Sequence, residues 1–407
     1  MMKLEFLCKN SLVWIWFVII LFALTAPFLA SSLPNIVILD KSVEFPSFYE
    51  FAARFKVVTY PVEKRNPEYW LEQDVKFIIW PPIPYSPHQV NLDEAMQAPT
   101  FWRSHSKTGN FHILGTDLLG RDVLSYLLHG TTTALLLSFL SVVLGFVLGT
   151  LLGVTAGYFG NDKITIKRGS LVTLPIWFAM AWFYGFQVQW SDLLQPLYVC
   201  GLNIWNNLVI NNFIFCFVFF SGLFLSEVIF RRILYFKHQV RLPIDFLVMR
   251  LIEIFSSIPK ILLILALSVV LLPSIMNLVV IFVIISWPSI ARLWRTGVIH
   301  AKGTNYVQAG EALGISQTRI LFRHILPNTI QPILISLSFA TAGVILAESS
   351  LAFLGLGMPS EIVSWGRLLN QARQMPEAWW LVLFPGICIT GLIGLAYQTG
   401  RMVKKYF

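Results

Sequence analysis

The sequence is short of charge. Only 13% of its 407 residues are Asp, Glu, Lys or Arg, against 56% hydrophobic and 14% aromatic, and its mean hydropathy is +0.69. That balance excludes an ordinary soluble domain and points to an integral membrane protein in a lipid bilayer. Cysteine is scarce as well. Cys8, Cys200, Cys216 and Cys388 are scattered without a C-x-x-C pair, which implies neither a disulfide framework nor a metal site. The seven histidines show no metal-ligand spacing, and no Ser, His and acid constellation falls together on the expected spans, so intramembrane hydrolysis has no support. A phosphate-binding loop is missing too. The one approximate match, Gly115 to Asp122, places Arg121 and Asp122 where that motif needs Lys and Ser or Thr, so the chain cannot hydrolyse nucleotide by that chemistry. The net charge of +9 would suggest nucleic acid in a soluble protein. Here the bases lie mostly in short loops between apolar runs, where they report orientation and no nucleic-acid partner.

The apolar runs that remain set the organisation. Ser11 to Ala30 is long enough to cross a bilayer core of roughly 30 Å as a helix. A cleaved signal peptide is the rival reading, because Ala30-Ser31-Ser32 offers small residues, but the run is long for that purpose. Residues 1–30 are expected to be an uncleaved anchor helix. Residues 31–128 then form the only sizeable polar stretch. From Ser31 to Asp122 there are 11 acidic and 9 basic residues, whereas the rest of the chain has 10 acidic and 21 basic. That asymmetry fits an extracytoplasmic segment and positive-inside orientation. Within it, four prolines between Trp80 and Pro87 deny helix and central strand alike, and predict an extended strap.

A second span, residues 129–160, has Gly145, Gly149 and Gly153 on one helix face, where small residues allow close approach. Residues 161–243 hold two further apolar runs, about 170–188 and 208–230, with no Lys or Arg between them and four bases after them, which reads as an out-and-back hairpin. Its turn near Trp190 and Asp192 is expected outside. Residues 244–407 add spans of roughly 246–272 and 275–293, interrupted at Pro259 and Pro288, then 330–354 and a last one from Trp379. The total expected is eight, with both termini cytoplasmic.

Between the fourth and fifth of the non-hairpin spans lies a long polar interruption, Asn305 to Asn328. Tyr306, Val307, Ala309, Ala312 and Leu313 predict one helix with these residues on its apolar side. Gly314 stops it, and a second helix through Arg319, Ile320 and Ile325 is expected to break at Pro327. Gln308-Ala309-Gly310, Gly314 and Ile325-Leu326-Pro327 resemble the cytoplasmic coupling loop of ATP-binding-cassette importer permeases, with Gln308 in place of an acidic residue and Gly310 in place of alanine. Gly115-Thr116-Asp117-Leu118-Leu119-Gly120-Arg121-Asp122 resembles the segment before the second span of the dipeptide and oligopeptide permeases. The Trp80 strap is similar to that of the Yej-type oligopeptide and microcin C permeases.

The resemblance implies an all-α polytopic type I importer core of six transmembrane helices, carrying here the inserted hairpin and the extracytoplasmic segment, in a bacterial inner membrane. It implies a homologous permease partner, two ATPase subunits and an extracytoplasmic solute-binding protein. ATP and magnesium would bind those ATPase subunits, with no cofactor on this chain and no catalytic residue. Gln308, Ala309, Gly310, Gly314, Arg319, Ile325, Leu326 and Pro327, within the loop 300–328, would transmit ATPase motion. The cargo implied is peptide, with nickel the runner-up, and an ion-coupled secondary carrier is the reading from another class. Ionisable residues inside apolar runs are few. Glu348 and Glu253 are the pathway candidates, with Arg250 placed to pair with Glu253 and Lys260 expected to snorkel.

Overall fold

The computed structural model describes residues 2–39, 42–54, 60–61, 63–71, 75–99, 111–161, 163–184, 213–225, 239–359 and 361–406. Among them five helices are long and apolar enough to cross a membrane, or six if one sharply bent pair counts as a span. The chain divides into two compact units, 1–154 with 251–407, and 155–250.

The larger unit begins with α1 (Met2–Leu29), followed by a small sheet of β1 (Ile36–Leu39), β2 (Val43–Glu44) and β3 (Val75–Ile79). The order is β2-β1-β3, antiparallel throughout, with Ile38 opposite Val43 on one side and Phe77 on the other. α2 (Pro46–Arg54) and α3 (Pro67–Leu71) accompany it, and Leu33, Val37, Tyr60 and Trp70 form its buried core. The Trp80 strap is extended, as four prolines require. Ile83 bridges to Ala30 and donates its backbone N–H to Leu29, pinning the strap to the end of α1.

α4 (Val123–Phe159) starts six residues before the expected second span, because Asp122 caps it by accepting the Ser125 backbone N–H at 2.7 Å. The face carrying Gly145, Gly149 and Gly153 lies against α9 (Ile275–Lys302). A Cβ at Gly149 would sit 2.8 Å from Ile290, and one at Gly153 would run into the Ala291 carbonyl. α7 (Ile244–Ser257) and α8 (Lys260–Val270) meet at Pro259 with an 82° bend. Pro288 behaves differently from the expectation. It lies inside α9, which continues unbroken past it to Lys302. α12 (Leu326–Phe353), α13 (Trp365–Ala372) and α14 (Trp380–Tyr406) complete the unit. Val123, Tyr126, Ile345, Trp365, Leu368 and Leu381 bury one core there, and Leu137, Ile264, Leu278, Phe282 and Val344 another. α1 joins α14 through a hydrogen bond from Trp16 Nε1 to Thr399 Oγ1 at 2.9 Å.

In the smaller unit β4 (Thr165–Lys167) pairs antiparallel with β5 (Gln239–Arg241), so the two ends of the inserted stretch are tied together. α5 (Arg168–Trp182) and α6 (Phe213–Leu225) pack through Gly222, which leaves no room for a side chain beside Trp177, and through Phe178, whose ring is 5.7 Å from Phe215. The expected turn near Trp190 and Asp192 lies outside the described residues.

Candidate functional site

Downstream of α9 the chain makes a compact helical elbow. α10 (Asn305–Ala312) ends at Leu313, and Gly314 adopts φ +74°. The Gly314 N–H bonds the Glu311 carbonyl at 3.0 Å and the Ile315 N–H bonds the Gly310 carbonyl at 3.1 Å. These two bonds are the paired closure of a left-handed glycine cap. α11 (Gln317–Ile320) then runs through a π turn (Leu321–Ile325) directly into α12. Pro327 therefore does not end the second helix. It lies in the first turn of α12, where a missing N–H is tolerated, and the wider π turn before it accompanies the ring. Thr329 Oγ1 donates to the Ile325 carbonyl at 2.9 Å.

The eight residues singled out by sequence separate by exposure. Gly310 and Ile325 are buried and hold the elbow together, Leu326 is half-buried, and Gln308, Ala309, Gly314, Arg319 and Pro327 face out. Of the apolar residues named for α10, Val307 faces inward and the others are exposed. Only Val307 and Gly310 are buried, against Ile320 and Ile315, while Leu313 is 80% exposed and Tyr306 43%. Phe322, which the motif does not include, is 68% exposed. Three large apolar side chains at one exposed elbow, with Arg319 and Arg323 among them, make a surface suited to docking another protein rather than to acid–base chemistry.

Glu348 is buried near the far end of α12. Ser364 Oγ donates to its Oε1 at 2.5 Å and Ser349 Oγ to its Oε2 at 3.3 Å, so the carboxylate is satisfied by serines, one of them at the start of α13. Gly366 is pressed onto the Ser349 carbonyl, and Trp365 Nε1 donates to the Leu127 carbonyl of α4 at 3.0 Å. These contacts make Glu348 part of the joint between α12, α13 and α4. Glu253 is exposed on α7, and the Arg250 guanidinium lies 4.9 Å from the Phe246 ring centre. Lys260 lines a cavity beside the middle of α9 and α12.

The Gly115 to Asp122 string forms a buried polar knot. Asp117 accepts the Leu119 and Arg121 backbone N–H groups, each at 2.9 Å, and the Arg121 side chain at 2.6 to 2.7 Å. His112 stands between Asp122, at 2.9 Å from Nδ1, and Glu94, at 3.1 Å from Nε2. Burial alone would disfavour the charged imidazole. The hydrogen bonds to Asp122 and Glu94 outweigh it and hold the pKa above its ordinary value. Trp380 Nε1 donates to the Thr116 carbonyl at 3.0 Å, fastening the knot to α14. The loop is thus closed by its own Asp and Arg, which explains why it lacks the residues that would cradle a phosphate.

Residues 239–402, which contain the bend, the elbow and the Glu348 joint, match the sequence profile of the family described as binding-protein-dependent transport system inner membrane component. This part of the chain is similar to that family. Its relatives include a Brucella suis protein provisionally named a peptide transport system permease, 40% identical over 147 residues, 36% of this chain and 50% of that one. The chain thus spans about half the length of that relative. Over longer stretches it is 24% identical to the peptidoglycan transport system permease protein YejE of Agrobacterium fabrum, covering 97% of this chain and 87% of that one. It is 23% identical to the inner membrane ABC transporter permease protein YejE of Escherichia coli, covering 97% and 91%. In the elbow, exposed apolar side chains and arginines stand together.

Proposed function

We propose that the chain is the permease subunit of an ATP-driven importer of peptides in a bacterial inner membrane, and that the elbow is where ATPase motion enters it. The observation that carries this reading is the elbow's construction. Backbone hydrogen bonds and two buried isoleucines, Ile320 and Ile325, fix its shape, while Leu313, Phe322 and Arg319 face away from the chain. α11, the π turn and α12 form one continuous helical rod from Gln317 to Phe353, so a push on the elbow is delivered along a membrane helix. The relatives named as peptide permeases support the cargo. In this reading the chain pairs with a homologous permease subunit, two ATPase subunits and a binding protein that delivers cargo from outside. Both termini and the elbow are cytoplasmic. The 31–128 segment lies outside, residues 161–243 are the inserted hairpin, and 244–407 form the core.

Gly314→Asp tests it. Nothing lies within 4 Å of a Cβ built at Gly314, so the variant meets no clash; it carries the left-handed backbone penalty at φ +74°, confined to the exposed elbow, and is expected to fold and insert. Peptide uptake is expected to be lost at unchanged membrane abundance; normal uptake removes the coupling role. Uptake that stops when the proton gradient is collapsed at constant ATP would instead identify an ion-coupled carrier.

A further inference from the structure

The cavity between α8, α9 and α12 has no part in the reading above. Its volume is ≈ 320 Å³, and Lys260, Ser286, Ser289 and Ser336 line it together with apolar side chains such as Phe282 and Phe339. The α9 and α12 residues concerned, 282–290 and 336–347, occupy the middle of helices that run 275–302 and 326–353. Lys260 opens α8 immediately after the 82° bend, so the bend delivers an ammonium to mid-depth of the membrane helices. A charge at such depth costs about 2.5–3.5 kcal/mol on insertion scales and is retained where it faces protein or a water-filled cavity. Lys260 is exposed in the chain and lines this cavity, which gives its head group a specific place there. Among the described residues no carboxylate forms an ion pair with it. One cation and the Ser289 and Ser336 hydroxyls, set in an apolar wall, suit an anionic oxygen pair attached to an apolar body, while the Ser286 hydroxyl donates to the Val283 carbonyl. The volume lies at the low end of ligand pockets, roughly 300–1,000 Å³. It suits one end of an extended cargo better than a whole oligopeptide.

We infer that Lys260 is a specificity-determining residue of the pathway, its ammonium receiving the C-terminal carboxylate of a peptide in transit while the apolar wall takes the adjacent side chain. This rests on the peptide-importer reading. The test uses the assembled transporter in membrane vesicles, with a labelled tripeptide as its free acid and as its C-terminal amide, comparing wild type with Lys260→Gln and Lys260→Arg. The binding protein is the same throughout, so a change in the ratio of the two uptake rates belongs to the permease. Lys260→Gln is expected to lower free-acid uptake roughly tenfold or more while changing amide uptake less than about twofold, and Lys260→Arg to retain the free-acid rate. Equal loss of both probes, or loss of neither, overturns the assignment and leaves the importer reading standing. Failure of Lys260→Gln to assemble with its partner permease also overturns it, because Lys260 would then pair across that interface. A wild-type transporter that imports neither probe overturns the peptide reading itself.

Discussion

Gly120 in the polar knot and Gly314 in the elbow have nearly the same backbone, φ +71° and +74°. Their surroundings are opposite. A Cβ at Gly120 would run into the Asn91 carbonyl, whereas one at Gly314 meets nothing within 4 Å. The same contrast holds for charge. In the knot Glu94, His112, Asp117, Arg121 and Asp122 are all buried and bonded to one another, so the charges are consumed in holding the fold. In the elbow Arg319, Arg323 and Glu311 are exposed beside Leu313 and Phe322. A region that satisfies its polar groups internally has little left to offer a partner, and a region shaped by backbone bonds and a few buried apolar side chains keeps its charged side chains available. Under the proposed function the two interruptions of the apolar sequence serve different ends, one a fastening and the other a contact.

The sharpest way to break this contrast is to remove Asp122, which both caps α4 and faces His112. Asp122→Ala leaves His112 buried with one partner fewer and is expected to cost about 3–5 kcal/mol, read as a large drop in thermal stability in detergent. Glycine replacement separates the two regions next. Gly314→Ala carries only the left-handed backbone penalty, about 1–2 kcal/mol, while Gly120→Ala adds a clash with backbone and must unfold at lower temperature. Equal melting shifts would mean that the surroundings of the two glycines do not differ as described. The knot also has a pH signature that the elbow lacks. The folded pKa of His112 lies above its ordinary value of 6.5, so the clasp's contribution to stability is complete below about pH 6.5 and is lost as pH rises through the raised value. Hydrogen exchange around residues 111–122 should accelerate with pH beyond its intrinsic dependence, and His112→Gln should abolish the excess. The smallest effect is a gain. A Cβ at Gly310 would make only ordinary contacts of 3.6–3.8 Å, so Gly310→Ala should raise stability by up to about 1 kcal/mol without impairing uptake.

Much of this contrast was legible in the sequence. Gly314 marked the turn because few residues accept its backbone, Pro259 marked the bend, and the glycines of α4 marked a close helix contact. Other features were not, for physical reasons. Apolar periodicity placed Tyr306 and Leu313 on one side of a helix with Val307, but periodicity does not tell which residues of such a side are buried within the chain. Pro327 and Pro288 read as breaks because a proline's local penalty is visible, while the π turn that accompanies Pro327 is not. Glu348 stood out as an ionisable residue in an apolar run, and which group would bond it was not legible because Ser364 lies 16 residues away at the start of the next helix. The small sheet escaped notice because β1 and β3 are short and far apart in sequence.

The central claim is that the exposed elbow carries the contact for ATPase motion. It is tested most directly by Leu313→Glu with Phe322→Glu, two side chains 80% and 68% exposed whose replacement removes nothing from the buried core. Membrane abundance and melting temperature should stay as in the wild type while ATP-dependent peptide uptake and co-purification of the ATPase subunits are lost. Uptake and co-purification at wild-type levels would contradict the account.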